Sequence, residues 1–214
     1  MNIYEKYIKR IIDILLSIIL IILLFPIVII IAIFIKINIG SPILFKQDRP
    51  GKNEEIFQMY KFRTMNNDKG INGELLPDSE RLSNFGRILR STSLDELPEL
   101  FNILKGEMSF IGPRPLAQQY LPFYNSQERK RHLVRPGLTG LAQVNGRNTV
   151  DWETRFAFDI IYVKNISLIM DLKIVLKTIM TVLRRNDIGE RGVNAPQDFD
   201  EYRKQQLEDI NDFK

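Results

Sequence analysis

Residues 14–35 read ILLSIILIILLFPIVIIIAIFI, an apolar run interrupted only by Ser17 and Pro26. At about 1.5 Å per residue it reaches roughly 33 Å, enough to cross a bilayer core of about 30 Å. A cleaved signal peptide does not fit: the run is too long, and no small-residue cleavage pattern follows it. Two arrangements remain. Hydropathy alone is satisfied by a single transmembrane helix. A re-entrant helix that bends at Pro26 and returns accounts for two more features. Pro26 sits near the middle of the run, where it removes a helix hydrogen bond and clashes with the preceding turn. Cations also flank both ends, with Lys6, Lys9 and Arg10 before the run and Lys36 and Lys46 after it. The positive-inside tendency draws both ends toward the cytoplasmic face.

The 214 residues are 44% hydrophobic, enough for one domain with a proper core plus an appendage. The chain has no cysteine and one histidine, His132. Disulfides, thiolate catalysis, Cys-based zinc and His-rich metal sites are therefore excluded. What remains for chemistry is carboxylates, arginine, lysine and a hard metal ion. The net charge of +4 suits an anionic partner, whether nucleic acid, acidic lipid or a phosphorylated small molecule.

Beyond the apolar run, residues 42–65 read as two strands around the turn 49–53. In the second strand Tyr60 and Phe62 alternate with Lys61 and Arg63. Residues 66–77 form a polar loop. From Asp78, Leu82, Phe85, Ile88 and Leu89 recur at helical spacing, and a second helical pattern runs from Pro98 to Gly106. GPRP (112–115) holds Arg114 between two prolines, and RPGLTGLAQVNGRN (135–148) places Arg135 and Arg147 among three glycines. Turn chemistry or anion binding explains either stretch. Residues 168–185 form an apolar helix carrying Lys173, Lys177, Arg184 and Arg185, either a core helix or one lying in the membrane interface. From Asn186 the chain is polar, which predicts a loosely held tail.

STSLDELPEL (91–100) sets Asp95 and Glu96 side by side. Ser93-x-x-Glu96 matches a helix capping box. Pro98 complicates that reading, because a helix capped at Ser93 needs backbone N–H donors in its first turn and proline has none. A start that puts Pro98 in the first turn leaves both carboxylates just outside the helix, where an ionised aspartate can serve as nucleophile or metal ligand. On these residues alone cap and active site both stand.

Four stretches in order, KFRTM (61–65), GRILRSTSLDELPELFNILKGEMSFIGPRP (86–115), RPGLTGLAQVNGRN (135–148) and DIIYVKNISLIMDLKI (159–174), resemble the small monotopic phosphoglycosyl transferases, the bacterial sugar transferase family. The resemblance runs from about residue 4 to about 185. It is nearest to members acting on UDP-N,N′-diacetylbacillosamine in bacterial protein N-glycosylation. It implies an α+β fold with an N-terminal re-entrant membrane helix bent at Pro26, a small β-hairpin and several helices, interfacial amphipathic ones among them. The layout it implies is a membrane helix over 1–40 and a cytoplasmic catalytic domain over 41–185, followed by a polar tail over 186–214. Relatives often carry serine just before the proline, where this chain has Phe25.

The resemblance further implies that Asp95 is the nucleophile and Glu96 its partner at a Mg²⁺ site, with Asp159 as a third carboxylate there. Lys61, Arg63, Arg90, Arg114 and Arg147 are the implied substrate-binding cations. The implied reaction converts a UDP-sugar and undecaprenyl phosphate into undecaprenyl diphosphate-sugar and UMP, at the cytoplasmic face of the bacterial inner membrane. Its partners are those two substrates and membrane lipid. Nucleic acid is not expected, since few aromatics interleave with the cations. A membrane-anchored scaffold binding acidic lipid is the competing non-enzymatic reading, and the same reaction with another UDP-sugar is the competing enzymatic one.

Overall fold

The computed structural model describes residues 3–146, 150–184 and 197–212. A π-helical turn, Tyr4–Ile8, leads into α1 (Lys9–Asn38), which keeps helical geometry with Pro26 inside it. Its buried side chains are Asp13, Ser17, Ile31 and Ile35. Most of its apolar surface is exposed, Leu15, Ile22, Leu23 and Phe25 included. A helix apolar on nearly every side and left uncovered needs lipid as its solvent. Tyr4–Asn38 is long and apolar enough to cross a membrane.

The strands β1 (Leu44–Pro50) and β2 (Ile56–Phe62) pair around a turn closed by Gly51 N–H donating to the Glu55 carbonyl at 2.8 Å. The chain divides into two compact units: Ile12–Gln47 with Gln58–Lys105, and Met1–Ile11 with Asp48–Phe57 and Gly106–Lys214.

In the first of these, the helical pattern expected from Asp78 is split into α2 (Asp78–Arg81) and α3 (Asn84–Ser91). The break has a local cause. Ser83 is extended, and its hydroxyl accepts the Gly86 N–H at 2.9 Å, so it caps a new helix instead of continuing the old one. Gly86 lets α3 lie against the chain at Thr64, since a Cβ there would sit 2.0 Å from the Thr64 carbonyl oxygen. Leu89 then packs with Ile31, Ile35 and Phe62. The next helix, α4 (Glu99–Lys105), begins directly after Pro98.

In the second unit, β3 (Ser109–Ile111) runs parallel to β4 (Gly137–Thr139), with Ser109 opposite Gly137 and Ile111 opposite Thr139. Two glycines of the 135–148 stretch serve close backbone approach. A Cβ on Gly137 would lie 2.1 Å from the Gly112 nitrogen, and one on Gly140 would lie 2.1 Å from the Gly112 oxygen. The helices α5 (Leu141–Gly146), α6 (Trp152–Lys164) and α7 (Leu168–Arg184) follow. Ile111, Val134, Tyr162, Ile166 and Ile174 form one core. Buried Asp171 ties the chain's start to this core. Tyr4 and Lys9 both donate to its Oδ2 at 2.6 Å, and Tyr162 donates to its Oδ1 at 2.9 Å. On α7, Leu168, Ile169, Leu172, Leu176, Ile179 and Met180 remain exposed, so this helix is not the buried core helix that its apolarity alone allows.

The expectation of a loosely held tail is corrected by α8 (Phe199–Asp212). Phe199 is fully buried among Tyr120, Tyr124, Trp152 and Phe156, with ring centroids 5.1–5.6 Å away. Trp152 donates to the Gln197 carbonyl at 2.9 Å, and Arg203 pairs with Glu128. One large aromatic in a polar segment holds the helix down, because burying such a ring is worth a few kcal/mol.

Candidate active site

The stretch around the dyad does not form a capping box. Ser93 adopts a left-handed conformation (φ 56°) and makes no side-chain cap bond, and Leu94–Glu96 form a single 3₁₀ turn. Asp95 and Glu96 are 3% and 8% exposed, far more buried than carboxylates of a solvated cap. Lys61, from the end of β2, answers this acidity. Its ammonium lies 2.7 Å from Glu96 Oε1 and 3.0 Å from Glu99 Oε1. Asn102, one helical turn beyond Glu99 on α4, fixes the strand. It accepts from the Tyr60 N–H at 3.0 Å and donates to the Gln58 carbonyl at 2.7 Å. A cation and two carboxylates are thus held at the base of one turn, with Asp95 beside them in sequence.

Two expected arginines lie in the same unit. Arg90 donates through Nε to Thr64 Oγ1 at 3.0 Å. Arg63 is buried, and its guanidinium donates to the Met65 carbonyl at 2.8 Å and the Ser41 carbonyl at 2.5 Å. The bonds seen for Arg63 brace the chain. Sequence reasoning missed Glu99 and Asn102. Their spacing of three residues, which puts both on one face of a short helix, was the available signal.

Arg114 and Asp159 belong to the other unit. Asp159 and Arg131 are each only 2% exposed at the side chain and form an ion pair, with Arg131 Nε and Nη2 both 2.9 Å from Asp159 Oδ2. Arg131 Nη2 also donates to the Arg114 carbonyl at 2.6 Å. Burial opposes the charge on Arg131, but Asp159 and Tyr124 outweigh it and raise its pKa, so the guanidinium stays protonated. Arg131, absent from the expected site, is what holds the Arg114 loop. Arg147 lies outside the described residues.

Among the described residues, no three acidic or histidine side chains gather into a metal-holding group. The donor set fits a hard divalent ion held by one or two carboxylates, with phosphate oxygens and water completing its shell.

His132 is buried against Tyr124, and its pKa is lowered to about 3, first by burial and then by the Arg131 charge. The unfolded chain therefore takes up a proton near the usual pKa of about 6.5 that the folded chain refuses until about 3. Stability is full above that upper value and falls as pH drops through the window. Thermal melts from about pH 7.5 to about pH 5 should show a loss of about 2 kcal/mol, and His132→Gln should flatten that slope. An equal slope in His132→Gln would assign the effect to other groups.

The family model for bacterial sugar transferases matches residues 4–185. The chain is 46% identical over 176 residues to the uncharacterized sugar transferase EpsL of Bacillus subtilis, covering 82% of this chain and 87% of that one. It is 39% identical over 200 residues to the undecaprenyl-phosphate galactose phosphotransferase of Salmonella typhimurium, covering 85% of this chain but 42% of the longer relative. It is 40% identical over 185 residues to the UDP-glucose:undecaprenyl-phosphate glucose-1-phosphate transferase of Caulobacter vibrioides, covering 82% of this chain and 69% of the relative. With a match that leaves out little besides α8, and with the buried dyad lying inside it, the chain belongs to the bacterial sugar transferase family.

Proposed function

We propose that this phosphoglycosyl transferase moves a sugar-1-phosphate from a UDP-sugar to undecaprenyl phosphate and releases UMP. The observation that carries the reading is the buried Asp95-Glu96 pair set against Lys61. A carboxylate oxygen of Asp95 attacks the β-phosphorus of the UDP-sugar. The bond from that phosphorus to the oxygen bridging the two phosphates breaks, and its electron pair leaves with UMP. Asp95 then carries the sugar-1-phosphate as an acyl phosphate. A phosphate oxygen of undecaprenyl phosphate attacks the same phosphorus, and the bond to Asp95 breaks, which regenerates the carboxylate.

Such transfers depend mostly on positioning and charge neutralisation. Lys61 orients Glu96 and Arg63 braces the strand end, while Arg90, Arg114 and Arg147 are the cations proposed to bind the phosphates. Asp95 and Glu96 are the groups proposed to hold Mg²⁺, which would neutralise diphosphate oxygens; Asp159, expected as a third carboxylate there, is taken up by Arg131. The acceptor phosphate sits at headgroup depth. A re-entrant α1, bent at Pro26, and an interfacial α7 would hold the dyad at that level on the cytoplasmic face of the inner membrane.

The motif resemblance makes UDP-N,N′-diacetylbacillosamine, a protein-glycosylation donor, the first substrate to test. Purified protein with undecaprenyl phosphate and Mg²⁺ should release UMP from it. Parallel reactions with UDP-galactose, UDP-glucose and UDP-N-acetylgalactosamine read the sugar preference. No UMP from any of the four would overturn the reaction. UMP from one of the other three alone would keep the reaction and replace the sugar.

A further inference from the structure

Helix α6 starts at Asp151, whose carboxylate accepts the Thr154 N–H at 2.7 Å and so sets the phase of everything after it. Trp152, Arg155 and Asp159 then fall at spacings of three and four, on one face. Trp152 is buried and pinned by its Nε1–H to the Gln197 carbonyl. The Arg155 guanidinium lies over its ring, with Cζ 4.4 Å from the centroid. Arg155 is thus held by a cation–π contact rather than by an acceptor.

Two carboxylates neighbour it on the helix, and both are committed. Asp159 pairs with Arg131, and Asp151 caps the helix through both of its oxygens. Among the described residues the Arg155 side chain makes no hydrogen bond or ion pair, and it is partly buried. Arg131 pairs with Asp159 and also grips the Arg114 backbone, so the charges of Arg131 and Arg114 both reach Arg155. Arg155 feels both of the other cations: after burial, and against the pull of Asp159, they lower its pKa. A guanidinium without an acceptor among the described residues, set beside another cation in partly desolvated surroundings, favours an anion. A guanidinium already held against an aromatic face loses less freedom on gripping a phosphate at two points.

We propose that Arg155 is a further substrate-binding residue, a preorganised fork for a phosphate group of the substrates. This rests on the proposed reaction for the identity of those substrates. The shared chemistry is a phosphate oxyanion, and either the nucleotide sugar or the lipid acceptor supplies one. The probe for the first is UDP, titrated into the full chain in detergent without acceptor and followed by calorimetry. Arg155→Gln should weaken UDP binding by about tenfold or more, Arg155→Lys should recover part of it, and melting temperatures should not move. For the second source, the KM for undecaprenyl phosphate is measured on the same variants. An unchanged UDP affinity with a raised acceptor KM supports the phosphate fork and places it on the lipid side. Unchanged values in both arms would overturn the proposal. Because UDP binding is read without turnover, a wild-type chain that binds UDP through Arg155 yet releases no UMP would sink the reaction and not the fork.

Discussion

Asp95→Asn is expected to abolish turnover, with a loss of at least about a thousandfold, the scale of removing a nucleophile. The substitution keeps shape and volume and removes the attacking charge. If Asp95 attacks phosphorus, wild-type protein mixed with UDP-sugar and Mg²⁺ alone gains the mass of one sugar phosphate. Peptide mapping after a brief incubation then finds it on Asp95, and the Asn variant shows no such gain. Unfolding stability should change by no more than about 1 kcal/mol, the scale of one neutral hydrogen bond. Asparagine can revert slowly by deamidation, so Asp95→Ala serves as a second variant with the same expected chemistry. A helix cap forecasts the opposite: a loss of stability with normal rates and no adduct. The left-handed Ser93, which makes no side-chain cap bond, already weakens that forecast. An adduct on another residue, or substantial turnover by both variants, would show that the nucleophile lies elsewhere.

The elements with strong periodicity were legible. The apolar run, the two strands and α7 follow from spacing alone, because burial or lipid exposure repeats with the period of the backbone. The dyad was legible as two alternatives; Pro98 complicated the cap without removing it, and the left-handed Ser93 is what excludes the capping box. Less was legible where charged side chains turn inward. Sequence assigns Arg63 and Arg114 the same kind of role, yet the guanidinium of Arg63 goes to the Met65 and Ser41 carbonyls. Arg131, which pattern reading passes over, is the residue buried against Asp159. Direction depends on which loops meet, and no local pattern encodes that. The tail misled for a related reason. Its composition is polar, but a single residue, Phe199, finds four aromatic rings contributed from distant positions.

Arg131→Met is expected to cost about 3–5 kcal/mol, because it leaves Asp159 charged and buried without its partner. Arg131 and Asp159 are both nearly inaccessible, so water cannot replace the guanidinium in place. The chain can escape in one way, by protonating Asp159. Burial pushes that carboxyl up, and without Arg131 nothing nearby pulls it down as strongly. The variant's folded state would then bind a proton that the unfolded state releases. Its deficit should grow as pH rises through and above the ordinary carboxylate range and shrink in mild acid, opposite in sign to the His132 effect. Arg131→Met combined with Asp159→Asn should recover much of the loss, since the double variant buries no lone charge. Activity separates from stability in that double variant. It still lacks the Nη2 donor to the Arg114 carbonyl, so turnover should stay low while the melting temperature returns. If Arg131→Met costs less than about 1 kcal/mol, or if Asp159→Asn gives no rescue, the pair is not the internal strut that its geometry indicates.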